Sequence, residues 1–540
     1  MQDIRFTRRG IGLAALSAAL TTASAVHAQA GPRVVYVDAA APAGGDGASW
    51  SGAFRDLQAA LALAQPGIRP ADGLEVRVAR GVYLPDLGTG DRAESFVVTS
   101  AVTLMGGFAG VASSTPDRRD PNAFVSILSG DLAGDDGPQF SNMNENSRTV
   151  LDVAFADATT EIDGFTIMGG NQDVRYSGQG YWPRGFGPSG IAGVRAPVEG
   201  SRYTGSPWIR NCRITGCMAA DNDIINLTGT VLVGCRVEGN AIVGNGAVVK
   251  LVDGSLVNCR VVGNRASGPG AFESCGIVRF ISAEQYANSA APPPMIISSL
   301  IADNHSEGAA AIHAYNASIG VISSTIAGNS APFDPAIQTR FFGRAFILNC
   351  IVSGNVATDP LSGSRQFVYD VSRLTIAGRV FVDRGFDDFE GANSWNFPVS
   401  RLLSGDPGFR SPAGPDGDPS TWQDNDYRLA PGSQCIDRAD CSDPIYAHAF
   451  ADIDSTPPYD DPATPNRGVG FFRTLDLGAF EFVPPPCPAD FNASGTATVA
   501  DIFDFLTVWF TGSSAADFNH SGATGAQDLL DFLAAWFRGC

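Results

Sequence analysis

Lysine is almost absent from this chain of 540 residues, which contains a single lysine, Lys250, and five histidines. Only 17% of the residues are charged, and acidic residues outnumber basic ones by 56 to 36. An acidic chain repels phosphate backbones and anionic lipid headgroups, so nucleic acid and membrane surfaces are poor partners. The histidines form no HExxH motif and the cysteines form no CxxC pair, which argues against a catalytic zinc site.

Long hydrophobic runs are also missing beyond the N-terminal segment. Residues 1–30 carry three arginines, then an uncharged stretch from Gly10 to Val26, and end in small residues, which is typical of an export signal peptide. The pair Arg8-Arg9 is similar to a twin-arginine signal, and both the Sec and the Tat route stay open. We expect a secreted or cell-surface protein with no transmembrane span in the mature chain. An oxidising destination makes its ten cysteines candidates for disulfides.

Glycine is abundant, with 62 residues, and it punctuates short apolar strands that repeat. The second residues of the clearest copies of the repeat are Cys212, Cys235, Cys259, Ser299, Ser324 and Cys350. The period is about 24 residues, apart from a longer step that fits one coil plus an insertion around 273–294. Such a period, with several short strands and no helix in each unit, predicts a solenoid of stacked parallel strands.

Alternation along each copy indicates which side chains fill the solenoid. Cys235 and Val237 are expected to face inward, whereas Arg236 lies outside. The asparagine that ends the copy, such as Asn240, suits a left-handed turn, and its amide can bond to the equivalent asparagine on the next coil. Because coils stack about 4.8 Å apart, Cys235 and Cys259 are either a disulfide or neighbouring buried thiols.

The coils, with openings such as Asp163-Gly164-Phe165-Thr166-Ile167, resemble secreted bacterial right-handed parallel β-helix proteins. The resemblance covers about 34–482 and implies the same fold here. Phe54, Leu57 and Leu61 lie on one face of a predicted helix, which is expected to cover the open end of the stack.

Two segments offset by 27 residues follow a proline-rich stretch near the C-terminus. Each has oxygen-bearing side chains at positions 1, 3 and 5, glycine at 6 and a carboxylate at 12, as in an EF-hand calcium loop, and each precedes an apolar-striped helix. The calcium ligands expected in the first loop are Asp490, Asn492, Ser494, the Thr496 carbonyl, Thr498 through water, and Asp501. Those expected in the second loop are Asp517, Asn519, Ser521, the Ala523 carbonyl and Asp528. Serine at position 5 leaves two carboxylates per loop, so calcium binding is expected to be weak; alternatively, the loops fold without metal.

These paired loop–helix units resemble a dockerin domain of the variety that ends in Gly-Cys. The resemblance implies an anchoring module with a cohesin-like or other cell-surface partner. Cys487 and Cys540 are expected to form a disulfide that closes the module. The alternative for Cys540 is a role in processing or covalent anchoring.

Parallel β-helices include pectate lyases, polygalacturonases and related enzymes that act on polysaccharides, so acidic side chains in one groove would be significant. The residues nearest to such an arrangement are Asp221, Asp223, Asp303, His305, Glu307 and His313. The acidic residues among them do not recur one period apart, as a cluster stacked on successive coils would require. Asp303 replaces a turn glycine, and the histidines are expected at the surface. Five aromatic residues are expected either to stack on sugar rings or to pack over the side of the solenoid: Tyr176, Tyr181, Trp182, Tyr203 and Trp208.

The sequence therefore predicts an all-β right-handed parallel β-helix with a small all-α, EF-hand-like dockerin domain. The expected divisions are a signal peptide at 1–30, the β-helix at 31–482 with a cap at about 31–100 and a closing segment at about 400–482, a linker at 483–486 and the calcium-binding module at 487–540. Since no convergent acid cluster is evident, we expect a non-catalytic surface protein for adhesion or glycan contact. The alternative is a polysaccharide lyase or glycoside hydrolase acting on acidic glycans.

Overall fold

The computed structural model describes residues 31–539, except for 66, 174–193, 196–206, 253, 269–274, 282–293, 309, 316, 333–334, 341–343, 360–366, 370–372, 377, 385–400, 444–450, 485–486, 493–496 and 520. The predicted signal peptide lies outside the described residues. The chain divides into two compact units, one ending at Glu481 and the other beginning at Phe482.

Short strands of the first unit pair in parallel from coil to coil, and most coils add one strand to each of four sheets. Sheet 1 consists, in the described residues, of Arg33–Val37, Leu74–Ala79, Val102–Phe108, Glu161–Asp163, Trp208–Arg210, Val231–Val233, Ser255–Val257, Met295–Ile297, Ser318–Ile322, Arg344–Leu348 and Arg373–Ile376. Sheet 2 consists likewise of Gly81–Tyr83, Ser126–Ser129, Phe165–Met168, Arg213–Thr215, Arg236–Glu238, Arg260–Val262, Leu300–Ala302, Thr325–Ala327, Cys350–Ser353, Val380–Val382 and Leu402–Leu403.

The other two sheets complete the cross-section of each coil. Sheet 3 contains the described strands Asn171–Gln172, Met218–Ala220, Ala241–Val243, Arg265–Ser267, His305–Ser306, Ser330–Ala331 and Val356–Ala357. Sheet 4 contains the described strands Phe96–Thr99, Leu151–Phe155, Val194–Arg195, Ile225–Thr228, Gly246–Val252, Cys275–Ile281, Ile312–Tyr315, Ile337–Arg340 and Phe367–Tyr369. Long, all-parallel sheets built from such short strands fit the predicted right-handed β-helix.

Shorter elements complete the first unit. Two small strand pairs lie in the closing segment: Phe409–Ser411 with Asp426–Leu429, and Asp440–Cys441 with Val469–Gly470. The 3-10 helices of this unit are Trp50–Gly52, Pro138–Phe140 and Met143–Glu145. The expected cap helix forms at Leu57–Ala62, where Asp56 accepts the Ala59 N–H at 2.8 Å and Leu57 and Leu61 are buried. None of the helices in the described part of the chain has the length and apolar character needed to cross a membrane.

Apolar side chains from all four sheets fill the solenoid interior, together with cysteines. In the described residues of the first unit, seven cysteines are buried free thiols: Cys212, Cys217, Cys235, Cys259, Cys350, Cys435 and Cys441. None of these seven candidates forms a disulfide in the structure. Cys235 and Cys259 are neighbouring thiols whose Sγ atoms each lie 3.4 Å from a carbonyl oxygen of the preceding coil.

A ladder of buried asparagines runs along the solenoid, as predicted. In each step Nδ2 of one asparagine donates to Oδ1 of the next at 2.8–3.0 Å, through Asn240, Asn264, Asn304, Asn329 and Asn355. The predicted reason for their position is wrong, however. The left-handed backbone belongs to the preceding residue, such as Gly239 with φ of 63°, and to the asparagines that open a copy.

Candidate functional site

The outer face of sheet 4 carries a row of polar side chains on successive strands. Asn226, Lys250, Arg279, His313 and Gln338 are backbone partners in register, each one coil from the next. Both strand neighbours of Asn226, Lys250, Arg279 and His313 belong to the hydrophobic core, as does Ile337 beside Gln338. Because side chains alternate along a strand, these five point away from the core. We call these five residues the polar row.

Asp223 holds the first part of the polar row in place. Its Oδ2 lies 3.3 Å from Lys250 Nζ and accepts the Asn226 amide at 3.2 Å. Its Oδ1 accepts the Ala247 N–H at 2.9 Å. Both partners of the ion pair are largely shielded, with side-chain exposures of 14% for Lys250 and 7% for Asp223. Their interaction is therefore less screened than a surface ion pair.

An aromatic side chain supports the middle of the polar row. The Arg279 guanidinium lies 5.4 Å from the centre of the Tyr315 ring, which meets the His313 ring edge-on at 6.2 Å. His313 is only 1% exposed although it points away from the core. The prediction that it is a surface histidine is therefore wrong. The arrangement places the permanent cation of Arg279 one coil from His313 and that of Lys250 two coils away.

The remaining predicted acids and histidines lie elsewhere. Asp303 adopts the left-handed backbone of a turn, as predicted, and Tyr427 of the closing segment donates to its carboxylate. His305 lies on sheet 3, with Nδ1 2.9 Å from Ser330 Oγ, and burial lowers its pKa. Of the predicted group Asp303, His305, Glu307 and His313, the structure brings only His313 to sheet 4.

Asp221 and the aromatic group do not extend the polar row. Asp221 is a turn residue with φ of 52°, and its Oδ1 accepts the Asn245 N–H at 3.0 Å. Trp208 lies in a strand of sheet 1, where its ring faces the Arg210 guanidinium at 4.6 Å. The other predicted aromatic contacts lie outside the described residues: Tyr176, Tyr181, Trp182 and Tyr203.

A convergent acid cluster is present, contrary to the sequence-based expectation. Asp131, Asp135 and Glu145 each bring one carboxylate oxygen within 4.8 Å of the others. Burial raises the pKa of the adjacent Asp136 to about 6, and the charges of Asp131 and Glu145 act in the same direction. The cluster was missed because its acids come from one loop after the strand Ser126–Ser129 instead of recurring once per coil.

The second unit contains two helices, Val499–Phe510 and Ala526–Arg538, and a 3-10 turn at Ser514–Ala516. Phe505 and Phe532, which are offset by the 27-residue repeat, stack with ring centres 4.1 Å apart. The tryptophans form a reciprocal pair of contacts. Trp509 Nε1 donates to the Gly525 carbonyl at 2.7 Å, and Trp536 Nε1 donates to the Thr498 carbonyl at 2.8 Å. The two halves thus pack with near two-fold symmetry.

The second predicted calcium loop brings several oxygens together. Ser521 Oγ lies 3.4 Å from Asp517 Oδ1 and 3.2 Å from the Ala523 carbonyl, so positions 1, 5 and 7 converge. Asp528 at position 12 accepts the Asn519 N–H at 3.1 Å and the Gly525 N–H at 2.7 Å. These backbone hydrogen bonds lower the pKa of Asp528. The oxygens present are the hard ligands that calcium prefers.

The first loop repeats this geometry in its described part. Asp501 accepts the Asn492 N–H at 3.1 Å and the Thr498 N–H at 2.7 Å, and its pKa is lowered by these hydrogen bonds. The predicted ligands Ser494 and Thr496 lie outside the described residues, as does Cys540. Cys487 is disulfide-bonded. Its pairing with Cys540 stays a prediction.

No family model matches the chain, and no curated protein matches it. Among solved structures, pectate lyase Pel9A is similar at 12% identity, with a TM-score of 0.39 over 84% of this chain and 98% of that one. A rhamnogalacturonan lyase is similar at 14% identity, with a TM-score of 0.28 over 64% and 87% of the two chains. A third is tailspike protein gp49 from Acinetobacter baumannii bacteriophage Fri1, a capsular polysaccharide depolymerase, at 10% identity and a TM-score of 0.28 over 64% and 63%. Because every TM-score is below 0.5, the architecture rests on the parallel sheets themselves.

Proposed function

We propose that the chain binds an acidic polysaccharide along sheet 4 and cleaves it as a lyase. The observation that carries this proposal is the alignment of Lys250, Arg279 and His313 on consecutive strands. Adjacent strands are about 4.8 Å apart, so the polar row offers closely spaced positive charge to a polymer of uronic acids. Complementary charge of this kind favours acidic over neutral glycans.

The chemistry available to these side chains is β-elimination. Lys250 and Arg279 neutralise the carboxylate of a bound uronate, which makes the proton on the neighbouring carbon easier to remove. His313, which is 1% exposed and must become accessible when the glycan binds, accepts that proton as general base. The electrons of the broken C–H bond form a carbon–carbon double bond, and the glycosidic oxygen leaves and takes up a proton. A hydrolase needs two carboxylates flanking the scissile bond. Beside Lys250 the described residues place the carboxylate of Asp223, while Asp152 lies on the same face two coils before Asn226 and the acid cluster lies in a separate loop. Elimination therefore depends on Lys250, Arg279 and His313.

The test uses the chain from residue 31 with pectin, alginate and other acidic glycans. We expect unsaturated uronate ends, detected by their ultraviolet absorbance, and a loss of at least about 100-fold in rate for His313→Ala. Lys250→Ala and Arg279→Ala should weaken substrate binding. Arg265→Ala is the matched control because its side chain is 64% exposed on sheet 3. Absence of both cleavage and binding refutes the proposal, and new reducing ends without unsaturation indicate a hydrolase instead.

Non-catalytic glycan contact is the second candidate function. The observation that favours it is the ion pair between Lys250 and Asp223, because the Asp223 carboxylate neutralises part of the positive charge of the polar row. Under this alternative, acidic glycans bind and are recovered intact. His313→Ala then leaves binding unchanged, whereas Arg279→Ala weakens it.

We also propose that the chain is exported and that the C-terminal module is a calcium-dependent, dockerin-like anchor. The symmetry of its two halves and the converging oxygens around Ser521 support this role. Its partner would be cohesin-like or another cell-surface component. Fractionation of the producing cell tests export: the full chain retained in the cytoplasm with residues 1–30 uncleaved contradicts it.

A further inference from the structure

The loop between the strands Ser126–Ser129 and Leu151–Phe155 carries the acid cluster, which consists of Asp131, Asp135 and Glu145. One carboxylate oxygen of each residue lies within 4.8 Å of the other two. Calcium binds oxygens at about 2.3–2.6 Å, so two oxygens on one ion are at most about 5 Å apart. The three carboxylates therefore have the spacing of ligands to a single ion.

Hydrogen bonds hold the acid cluster in place but do not neutralise it. Asp131 Oδ1 accepts the backbone N–H of Gly134 at 2.7 Å, and its Oδ2 accepts that of Asp136 at 3.2 Å. In the part of the chain that the structure describes, no basic side chain forms a salt bridge with the acid cluster. The arginine that contacts this loop, Arg92, pairs with Asp173 at 2.8 Å instead. The negative charges of the acid cluster therefore have no counter-charge among the described side chains.

An asparagine with no exposed surface, Asn146, is directed toward the acid cluster. Its Nδ2 donates to Asp136 Oδ2 at 2.9 Å and to the Gly169 carbonyl at 2.6 Å. Its Oδ1 has no hydrogen-bond partner among the described residues, and the same holds for Asp136 Oδ1 and Glu145 Oε1. A buried acceptor without a donor is unfavourable. The loop thus contains three enclosed oxygens that need a cation or a hydrogen-bond donor.

Protonation of the acid cluster satisfies only part of this need. Burial raises the pKa of Glu145, and the charges of Asp135 and Asp131 act in the same direction. A proton shared between Glu145 and Asp135 would relieve their repulsion, but Oδ1 of Asp136 and of Asn146 would still lack a donor. A hydrated divalent cation supplies both, because it neutralises the carboxylates and its bound waters donate hydrogen bonds. Calcium takes roughly six to eight oxygen ligands in flexible geometry, which suits carboxylates on a loop together with water.

We propose that Asp131, Asp135 and Glu145 bind a calcium ion, whose waters donate to Asp136 and Asn146. The site lies in the first unit and is separate from the two loops of the C-terminal module. None of its ligands belongs to the polar row, so it requires neither glycan binding nor catalysis.

The ion would hold the loop against the edge of sheet 3. The strand Asn171–Gln172 is the first in the order of that sheet, and the loop covers it. The Asn171 N–H donates to the Ser147 carbonyl at 2.8 Å, and Asn171 Nδ2 donates to the Met143 carbonyl at 2.7 Å. These contacts flank Glu145 in the chain. Calcium should therefore stabilise the cover of an otherwise open strand edge, since the ion binds the folded loop.

The test uses the full chain with Asp490→Ala and Asp517→Ala, so that the C-terminal loops do not contribute. We expect calcium, relative to a chelator, to slow hydrogen exchange at residues 134–136 and to raise the unfolding midpoint of the first unit by a few degrees. A calcium titration of the exchange should give a dissociation constant of about 0.1–1 mM, as in extracellular calcium modules. Glu145→Gln keeps the size and removes one charge, so it should weaken binding at least about tenfold. Without calcium, this variant should be at least as stable as its parent, because the repulsion is reduced.

Glu94→Gln is the matched control, because it makes the same change at an exposed glutamate of the same unit. It should bind calcium like its parent. The proposal is overturned if the parent shows no calcium-dependent change, as expected when water or a shared proton satisfies these oxygens, or if Glu145→Gln responds like its parent. Should Glu145→Gln not fold, Asp135→Asn at the exposed end of the acid cluster replaces it, and an unchanged calcium affinity of that variant also overturns the proposal.

Discussion

Replacement of one asparagine in the buried ladder, Asn304→Ala, should destabilise the β-helix strongly. Asn304 is 1% exposed and makes four side-chain hydrogen bonds. Its Nδ2 donates to the Val261 carbonyl at 2.8 Å and to Asn329 Oδ1 at 2.9 Å. Its Oδ1 accepts the backbone N–H and the Nδ2 of Asn264, at 3.0 and 2.9 Å. Alanine removes all four and leaves the neighbouring groups buried.

The magnitude follows from the groups that lose a partner. The buried Asn264 N–H loses its acceptor, which costs about 1–3 kcal/mol, and each other lost hydrogen bond contributes about 1 kcal/mol. Since some donors retain a second acceptor, as Asn264 Nδ2 does with the Val237 carbonyl at 2.8 Å, the sum is about 3–5 kcal/mol. The two coils on either side of Asn304 should open first, because each coil contacts only its neighbours.

Urea unfolding of the full chain, followed by circular dichroism, measures this loss, and hydrogen exchange locates it. Asn245→Ala is the matched control: Asn245 is exposed, and its replacement should change the free energy of unfolding by less than about 0.5 kcal/mol. If Asn304→Ala lowers the free energy of unfolding by less than about 1 kcal/mol, the hydrogen bonds of the ladder do not stabilise the β-helix, and the reasoning is wrong.

Three further predictions concern the calcium loops of the C-terminal module, the buried carboxylate of Asp303 and the packing between the two halves of the module. In the full chain, calcium should slow hydrogen exchange in the helices that follow the two loops, and Asp490→Ala with Asp517→Ala should abolish this; no slowing in the parent contradicts it. Burial raises the pKa of Asp303 to about 6, so its contribution to stability is complete below about pH 4 and is lost as the pH rises through 6. Asp303→Asn should therefore gain up to about 3 kcal/mol over the parent at about pH 8 and nothing at about pH 4 in parallel urea titrations, and equal differences would be inconsistent with this. Trp536→Phe removes the hydrogen bond to the Thr498 carbonyl and should lower the thermal stability of the second unit by about 1 kcal/mol, whereas an unchanged midpoint would mean that the indole contributes only packing.

The repeat made much of the solenoid predictable. One strand of each coil carries the recurring phrase, so its inward residues and the asparagine contacts follow from the period and from strand alternation. The left-handed turn at Asp303 also followed, because that residue occupies the place of a glycine. The free thiols did not follow, since register alone does not decide whether neighbouring cysteines bond.

The repeat contains part of the information needed to find the polar row. Asn226, His313 and Gln338 each follow the second residue of the recurring phrase by 14 residues and Lys250 follows it by 15, whereas Arg279 follows it by 20. Spacing alone therefore places four of the five at one point of the coil, and the longer step before Arg279 breaks the count. The backbone pairing between coils shows that Arg279 shares their face.

The sequence by itself determined the coil period, the apolar interior, the asparagine ladder and the doubled loop–helix pattern at the C-terminus, because each of these repeats at a fixed spacing. The tertiary structure decided which polar residues meet. It set Lys250 beside Asp223 and joined Asp303 to Tyr427. Such contacts join residues from different coils and segments, and local spacing carries no information about where those segments meet.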